Sequence, residues 1–241
     1  MTNIRALPLL SAMVIVIFAI LVFRRYARRG GAYLLVWGIG LTLFAVVSIA
    51  EVYSTAGWNS TVFRLWYLCG AVLAAAWLGQ GTVLLLARRS GPVRVVTMAL
   101  LIAGTAVAAY MAFTVPLDAT RFSPGVALSA QYREILPPGA TLRRVTPIFN
   151  VYGTVTLVGG ALYSAWLLLR REMAPSRVLG NVFIAAGGLS LALASTLVRL
   201  GLGDYLYAGE FIAAVTMFAG FLLASSRTVP AAAMRSEVAP S

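Results

Sequence analysis

The sequence predicts an all-α, polytopic membrane protein that folds as a bundle of seven transmembrane helices. Hydrophobic residues make up 61% of the 241 residues and charged residues only 11%, whereas a soluble domain is nearer one quarter charged. The apolar residues also fall into seven separate runs. Each run is long enough, as a helix, to cross a bilayer core of about 30 Å.

The first half of the chain contains four of these runs. An arginine cluster follows the first run, whereas a secretory signal peptide carries its charge before the run, so we expect a retained first helix. Gly91 and Pro92 break the chain before the fourth run. The four predicted spans are residues 7–23, 33–53, 63–87 and 93–115.

The second half begins with the one long loop of the sequence, residues 116–147, which is rich in proline and glycine. We expect a short amphipathic turn in this loop near residues 131–136. The small, alanine-rich segment 227–241 is predicted to be a disordered cytoplasmic tail. The three remaining predicted spans are residues 148–169, 178–200 and 205–224.

The third span is predicted to be the central helix of the bundle. It is apolar almost throughout, although it begins with Arg64 and contains Gln80. Small residues on its faces would let neighbouring helices approach closely. The residues that share one helical face are Phe63, Trp66, Gly70, Ala74, Trp77 and Gly81.

The arginines predict the orientation of the bundle. Most of them lie in clusters after the first, third and fifth spans, and cytoplasmic loops carry the excess of basic residues. We therefore expect the N-terminus outside and the C-terminus inside. Because every basic residue is arginine, the composition favours a GC-rich bacterium and hence its cytoplasmic membrane.

A weak internal similarity suggests a 3+1+3 plan, with two parallel three-helix halves joined by the fourth span. Short segments in the first half resemble segments at corresponding places in the second. The matching pairs are Phe23-Arg24-Arg25 with Leu169-Arg170-Arg171, Gly40-Leu41-Thr42-Leu43 with Gly188-Leu189-Ser190-Leu191, and Trp66-Tyr67-Leu68 with Asp204-Tyr205-Leu206.

The residue types that the sequence lacks argue against several functions. Without lysine there is no Schiff base for a retinal, and without histidine there is no histidine-ligated haem or zinc. The single Cys69 cannot form an internal disulfide. Asp-x-x-Asp and Gly-x-Ser-x-Gly patterns are also missing. We therefore expect no cofactor, no metal site and no enzymatic activity. The arginines sit in short clusters between apolar runs and not on one polar domain, which argues against nucleic-acid binding.

Charged residues within the predicted spans are the candidate ligand site. Glu51, Arg64, Arg199 and Glu210 all fall toward the outer side, and charges within spans usually face a bundle interior. Polar residues on the same predicted inner faces would complete the site. Those residues are Ser48, Asn150, Thr154 and Ser195.

A structural alternative stays open for these charges. Glu51 with Arg64, and Arg199 with Glu210, would then be ion pairs that fix helix register, with serine and threonine bonded to their own backbone. Gln80 is predicted to bond a neighbouring helix or to line a path, and Asn181 to be a buried polar residue. Aromatic residues near span ends are interpreted as interfacial anchors; they are Trp58, Trp66, Tyr110, Tyr205 and Tyr207.

One stretch resembles a known family, the seven-helix membrane sensor region at the N-terminus of some bacterial histidine kinases. The resemblance covers about residues 33–89 in detail and the whole chain in helix count. It implies a ligand-sensing or signal-transducing module. The residues that carry it are Trp37, Glu51-Val52-Tyr53 and Phe63-Arg64-Leu65-Trp66-Tyr67-Leu68.

The sequence thus favours a sensor-like or ligand-binding membrane protein with a polar pocket on its outer side. Because the sequence ends at Ser241, we expect no effector domain, so that a signal would pass to a membrane or cytoplasmic partner protein. The alternatives are a small-solute transporter of 3+1+3 design and a structural subunit of a membrane complex.

Overall fold

A computed structural model of the chain describes residues 3–201 and 205–225. Every regular element in those two segments is helical, and seven helices are long and apolar enough to cross a membrane. The predicted all-α seven-helix bundle is therefore confirmed. The predicted tail, residues 227–241, lies outside the described residues.

The seven spans alternate in direction, so the bundle has two ends. One end carries the long loop and is called the loop side; the other carries the arginine clusters and is called the arginine-rich side. In order, the spans are Leu7–Arg29, Ala32–Ser54, Ser60–Leu86, Gly91–Thr114, Thr141–Arg170, Pro175–Val198 and Leu206–Ser225. The helix of the first span begins at Asn3, and that of the sixth ends at Arg199.

The loop between the fourth and fifth spans contains two short helical elements. A single 3₁₀ turn covers Ala119–Arg121, and an α-helix, the loop helix, covers Leu128–Ile135. Leu128 and Ile135 are fully buried, whereas Glu134 is exposed. The predicted amphipathic turn is thus present, and it begins three residues earlier than expected.

The fifth span begins at Thr141, seven residues before its predicted start, so the loop is shorter than residues 116–147. Pro147 suggested a boundary, because proline removes a backbone hydrogen bond inside a helix. The helix nevertheless continues through Pro147. Leu142 and Thr146 bury one face of its first turns, and the Thr146 hydroxyl donates to the Leu142 carbonyl at 2.8 Å.

The first, second and third spans pack side by side, and the seventh packs against both the first and the sixth. The fifth span connects the third to the sixth. The third span is the most enclosed: 72% of its apolar 18-residue stretch is buried inside the bundle, compared with 17% for the fourth span. Its predicted central position is confirmed. The fourth span lies outside the two sets of three, and the parallel repeat between those sets stays a prediction.

The third and fifth spans cross in backbone contact, and each contains a π-helical segment near the crossing. A methyl group on Gly153 would overlap the backbone of Ala75 and would lie 2.6 Å from the backbone nitrogen of Ala76. The π-helical segments are Tyr67–Leu73 and Val155–Gly159. Such wide turns often occur at functional sites.

Candidate ligand-binding site

A cavity of about 570 Å³ lies in the loop-side half of the bundle, beneath the loop helix. Residues of the second, third, fifth, sixth and seventh spans line it. Its lower wall includes Phe44, which lies about 15 Å along the second span from Ser54 at 1.5 Å per residue. The cavity therefore extends from the loop side to about the middle of a bilayer core of about 30 Å.

The lining changes from apolar to polar toward the loop side. The wall deep in the bundle is apolar and includes Phe44, Val47, Leu157 and Leu191. All the charged lining residues lie near the loop side. The polar lining residues are Tyr67, Ser129, Tyr132, Arg133, Arg143, Thr146, Asn150, Thr154, Ser195, Thr196 and Glu210.

Glu51 attaches the loop helix to the second span. Its Oε1 accepts a hydrogen bond from the backbone N–H of Leu128 at 2.9 Å, and only 5% of Glu51 is exposed. A carboxylate is favourable at this position, because a helix N-terminus carries unpaired N–H groups and a partial positive charge. The next residue, Ser129, hydrogen-bonds the hydroxyl of Tyr207 at 3.1 Å. Two spans thus hold the first turn of the loop helix.

Buried polar atoms of two spans face one another beside this attachment. They include Oε2 of Glu51 and the indole nitrogen of Trp66, which is 6% exposed. The Trp66 indole and the Tyr207 hydroxyl both lie beside the Glu51 carboxyl. Since nearly all buried polar groups in proteins are hydrogen-bonded, Trp66 and Tyr207 are the neighbouring donors placed to satisfy this carboxyl.

Glu210, in the second turn of the seventh span, faces the cavity directly. It is 5% exposed, and Glu51 lies within electrostatic reach of it. Among the side chains that the structure describes, which do not include that of Arg199, none forms a hydrogen bond or an ion pair with the Glu210 carboxyl. A buried carboxyl without a partner is costly. Glu210 therefore requires a counter-charge, a hydrogen-bonding ligand or a proton.

Aromatic rings hold the other end of the loop helix over the cavity. The centroids of Trp66, Tyr67 and Tyr132 lie 5.9–6.4 Å from one another, and Tyr132 belongs to the loop helix. The Tyr67 hydroxyl hydrogen-bonds Thr146 at 3.2 Å. The Arg143 guanidinium lies 6.0 Å from the Tyr132 ring and donates to the Leu136 carbonyl at 3.2 Å.

The cavity opens sideways, between the loop-side halves of the fifth and sixth spans. Near the arginine-rich side the two spans pack closely, through residues Gly160–Arg170 of the fifth, whereas Thr141–Thr154 makes few contacts with the sixth. Val151 and Val155 both line the cavity and are 64% and 65% exposed. An exposed apolar edge at this depth faces lipid in a membrane-spanning bundle.

The structure brings four of the predicted site residues together in the cavity wall: Glu210, Asn150, Thr154 and Ser195. Two of them already have backbone partners. The Asn150 amide donates to the Ala71 carbonyl, inside the π-helical segment of the third span, at 2.8 Å. The Ser195 hydroxyl donates to the Leu191 carbonyl of its own helix at 2.9 Å.

Arg64 lies differently from expectation, and the side chain of a second predicted charged residue is not described. Arg64 lines a separate small cleft and donates to the Ala112 carbonyl of the fourth span. The alternative of a Glu51–Arg64 ion pair is wrong, because the described residues contain no ion pair between them and each bonds a backbone group instead. The side chain of Arg199 lies outside the description, and so does its expected pairing with Glu210.

The remaining predicted residues lie away from the cavity. Ser48 is buried, and its hydroxyl has no partner within the described segments. Asn181 is half-buried and bonds the Arg177 carbonyl of its own helix at 2.9 Å. Gln80 is fully buried, donates to the Thr97 hydroxyl at 3.0 Å and accepts from the Tyr152 hydroxyl. Gln80 thus links the third, fourth and fifth spans.

Two features of the site differ from what the sequence predicts: the loop helix covers the cavity, and two aromatic residues are buried beside it. Trp66 and Tyr207 were interpreted as interfacial anchors, but both are buried beside Glu51. Their positions near span ends fit an interfacial anchor as well as they fit a buried site residue. The spacing of Leu128 and Ile135 about a polar Gln131 was the available indication of a buried loop helix.

Comparisons of the chain with protein-family models, with curated proteins and with solved structures find no match. Within residues 3–201 and 205–225, no three metal-ligating side chains cluster. The cavity is therefore the feature of the molecule from which a function can be inferred.

Proposed function

We propose that this integral membrane protein binds a small ligand in the loop-side cavity and acts as a sensor-like module. One observation carries the proposal: Glu210 is buried, has no partner among the described side chains, and faces a cavity of about 570 Å³. Ligand sites are concave, mostly apolar, about 300–1,000 Å³ in volume, and contain a few convergent polar groups. The cavity has each of these properties.

The attachment of the loop helix suggests how binding would be sensed. A ligand beneath this helix would contact Tyr132 and Ser129 and would lie beside the buried atoms around Glu51. Any shift of the helix would act on the second span through Glu51 and on the seventh through Tyr207. Those spans cross to the arginine-rich side, where a partner protein or anionic lipid would receive the change.

The bacterial origin, the inner-membrane location and the N-terminus-outside orientation belong to the same proposal. They are supported by the arginine distribution and by the resemblance to kinase sensor regions. In that orientation the cavity opens toward the outer half of the membrane and the arginine clusters face the cytoplasm.

The test is to purify the full chain into lipid nanodiscs and to identify co-purifying small molecules by mass spectrometry. Ala192→Phe would fill part of the cavity, because Ala192 lines it. Ala186→Phe, on the exposed face of the same span, is the matched control. A stoichiometric molecule lost only in Ala192→Phe supports the proposal. A set of bound molecules identical in all three proteins contradicts it.

A transporter is the second candidate, and the two π-helical segments favour it. They lie in the third and fifth spans at the level of the cavity, where those helices could bend. On the arginine-rich side of the cavity, Gln80 and its partners join three spans. Transport would require this junction to open. The test is solute flux in reconstituted vesicles. A flux that changes in the Gln80→Leu variant would favour the transporter over the sensor.

A structural subunit remains as the third hypothesis from the sequence. Stable co-purification of another membrane protein, with no small molecule in the cavity, would favour it over both.

A further inference from the structure

We propose that the cavity takes an amphiphile with a zwitterionic head group, which enters sideways from the bilayer between the fifth and sixth spans. This inference rests on the proposed function and names the ligand class for the same site. Three features of the cavity carry it: charges of both signs near the loop side, an apolar lower wall, and a lateral opening.

The charges are of opposite sign and belong to different elements. Glu210 of the seventh span and Arg143 of the fifth both line the cavity, and the described residues contain no ion pair between them. A head group with an ammonium and a phosphate would satisfy the carboxylate and the guanidinium together, through charge-assisted hydrogen bonds. A head group of one sign would leave either the buried Glu210 or the half-buried Arg143 without a counter-charge.

The position of the charges fits a molecule that stands with its head toward the loop side. Glu210 and Arg143 lie within three turns of the loop-side ends of their helices. Glu51 adds negative charge on the Glu210 side, and Arg133 adds positive charge at the rim. The ammonium would therefore face the seventh span and the phosphate the fifth.

The apolar lower wall and the lateral opening fit an acyl chain. Phe44, Leu157 and Leu191 surround the deep part of the cavity, where a water-soluble zwitterion would find few polar partners. Val151 and Val155 form an apolar edge that is exposed toward lipid. A single-chain lipid could pass this edge without bringing its chain into water.

The experiment places the full chain in nanodiscs of phosphatidylglycerol and adds lysophosphatidylethanolamine with a brominated acyl chain. Bromine quenches tryptophan at short range, and Trp66 lines the cavity. The measured signal is the quenching of tryptophan fluorescence in the parent protein minus the quenching in the Trp66→Phe variant, which isolates the contribution of Trp66. Binding predicts that this difference saturates at low mole fractions of the probe.

Two pairs of variants test the charges. Glu210→Gln and Arg143→Gln should each weaken saturable binding by about tenfold or more, since each removes a charge-assisted hydrogen bond. The controls are Glu134→Gln on the exposed face of the loop helix and Arg144→Gln, which is exposed beside Arg143. Both controls should leave the binding curve unchanged.

Other probes separate failure of this inference from failure of the proposed function. If a brominated fatty acid or a brominated alkylammonium binds as tightly as lysophosphatidylethanolamine, the ligand does not need a zwitterionic head group. If glycerophosphoethanolamine, which has no acyl chain, competes as well as lysophosphatidylethanolamine, the ligand does not need a chain. In either case the cavity would still bind a ligand. Quenching that rises linearly with the mole fraction of the probe, as it does for bulk lipid, would overturn the inference. If none of these probes binds saturably, the proposed function also loses its support.

Discussion

The backbone N–H of Leu128 donates to the buried carboxylate of Glu51 at 2.9 Å, and this bond joins the loop helix to the second span. Leu128 is itself fully buried. The loop between the fourth and fifth spans is thereby part of the core, and the cavity beneath it has a fixed cover. The bond also places a carboxylate at the beginning of the loop helix, where the helix dipole favours it.

Glu51→Ala should loosen the loop helix. The change leaves the Leu128 N–H without its acceptor in a buried position, which costs about 1–3 kcal/mol. We expect hydrogen exchange of the peptide that covers Leu128–Ile135 to become about tenfold faster or more. Glu134→Ala, on the exposed face of this helix, is the control. Equal exchange in Glu51→Ala and the parent protein would contradict this role of Glu51.

Tyr207 and Ser129 should be coupled energetically. Their hydroxyls lie 3.1 Å apart in a buried site. A double-mutant cycle of Tyr207→Phe and Ser129→Ala should give an interaction free energy of about 0.5–1.5 kcal/mol, measured by reversible unfolding in mixed micelles. Tyr205→Phe is the control, because it makes the same change at an exposed tyrosine. Its double-mutant cycle with Ser129→Ala should be additive. Additivity in both cycles would show that the Tyr207 and Ser129 hydroxyls do not interact.

Gly153→Ala should destabilise the crossing of the third and fifth spans. The added methyl group would overlap the backbone of Ala75, and a forced helix separation costs about 1–3 kcal/mol. Gly159→Ala in the same span is the matched control, because nothing lies within 4 Å of its added methyl group. The measurement is the free energy of unfolding for each variant. If the two variants are equally stable, the close approach is not required.

Gln80→Leu should be destabilising because it leaves the Tyr152 hydroxyl without its acceptor and Thr97 without one of its bonds. We expect a loss of about 1–3 kcal/mol in the free energy of unfolding. Adding Tyr152→Phe removes the unpaired hydroxyl, so the double variant should lose less than the sum of the two single losses. A strictly additive result would argue that Gln80 and Tyr152 do not interact.

The seven spans could be predicted from the sequence because each is a continuous apolar run, and a bilayer requires such runs to be helical. The central position of the third span followed from the small residues on its faces. The early start of the fifth span could not be predicted in the same way. Pro147 indicates a boundary, and only the burial of Leu142 and Thr146 shows why the helix extends before it.

The site could be predicted only in part. Glu210, Asn150, Thr154 and Ser195 lie in the cavity wall because inward-facing polar residues on neighbouring spans converge. The partners of Glu51 and Arg64 are backbone groups, Leu128 N–H and the Ala112 carbonyl. Backbone groups occur at every residue and leave no mark in a sequence. Charge alone therefore suggested an ion pair that the folded chain does not form.

The central claim is that the cavity beneath the loop helix is open to a ligand, and cysteine labelling tests it most directly. Cys69 is replaced by alanine, and a cysteine is placed at Thr154, which lines the cavity, or at Thr156, which packs against Gly79. A membrane-permeant thiol reagent is then applied with and without the bound ligand. We predict rapid labelling at 154 that the ligand suppresses, and slow, ligand-independent labelling at 156. Equal rates at the two positions, unchanged by ligand, would contradict the account.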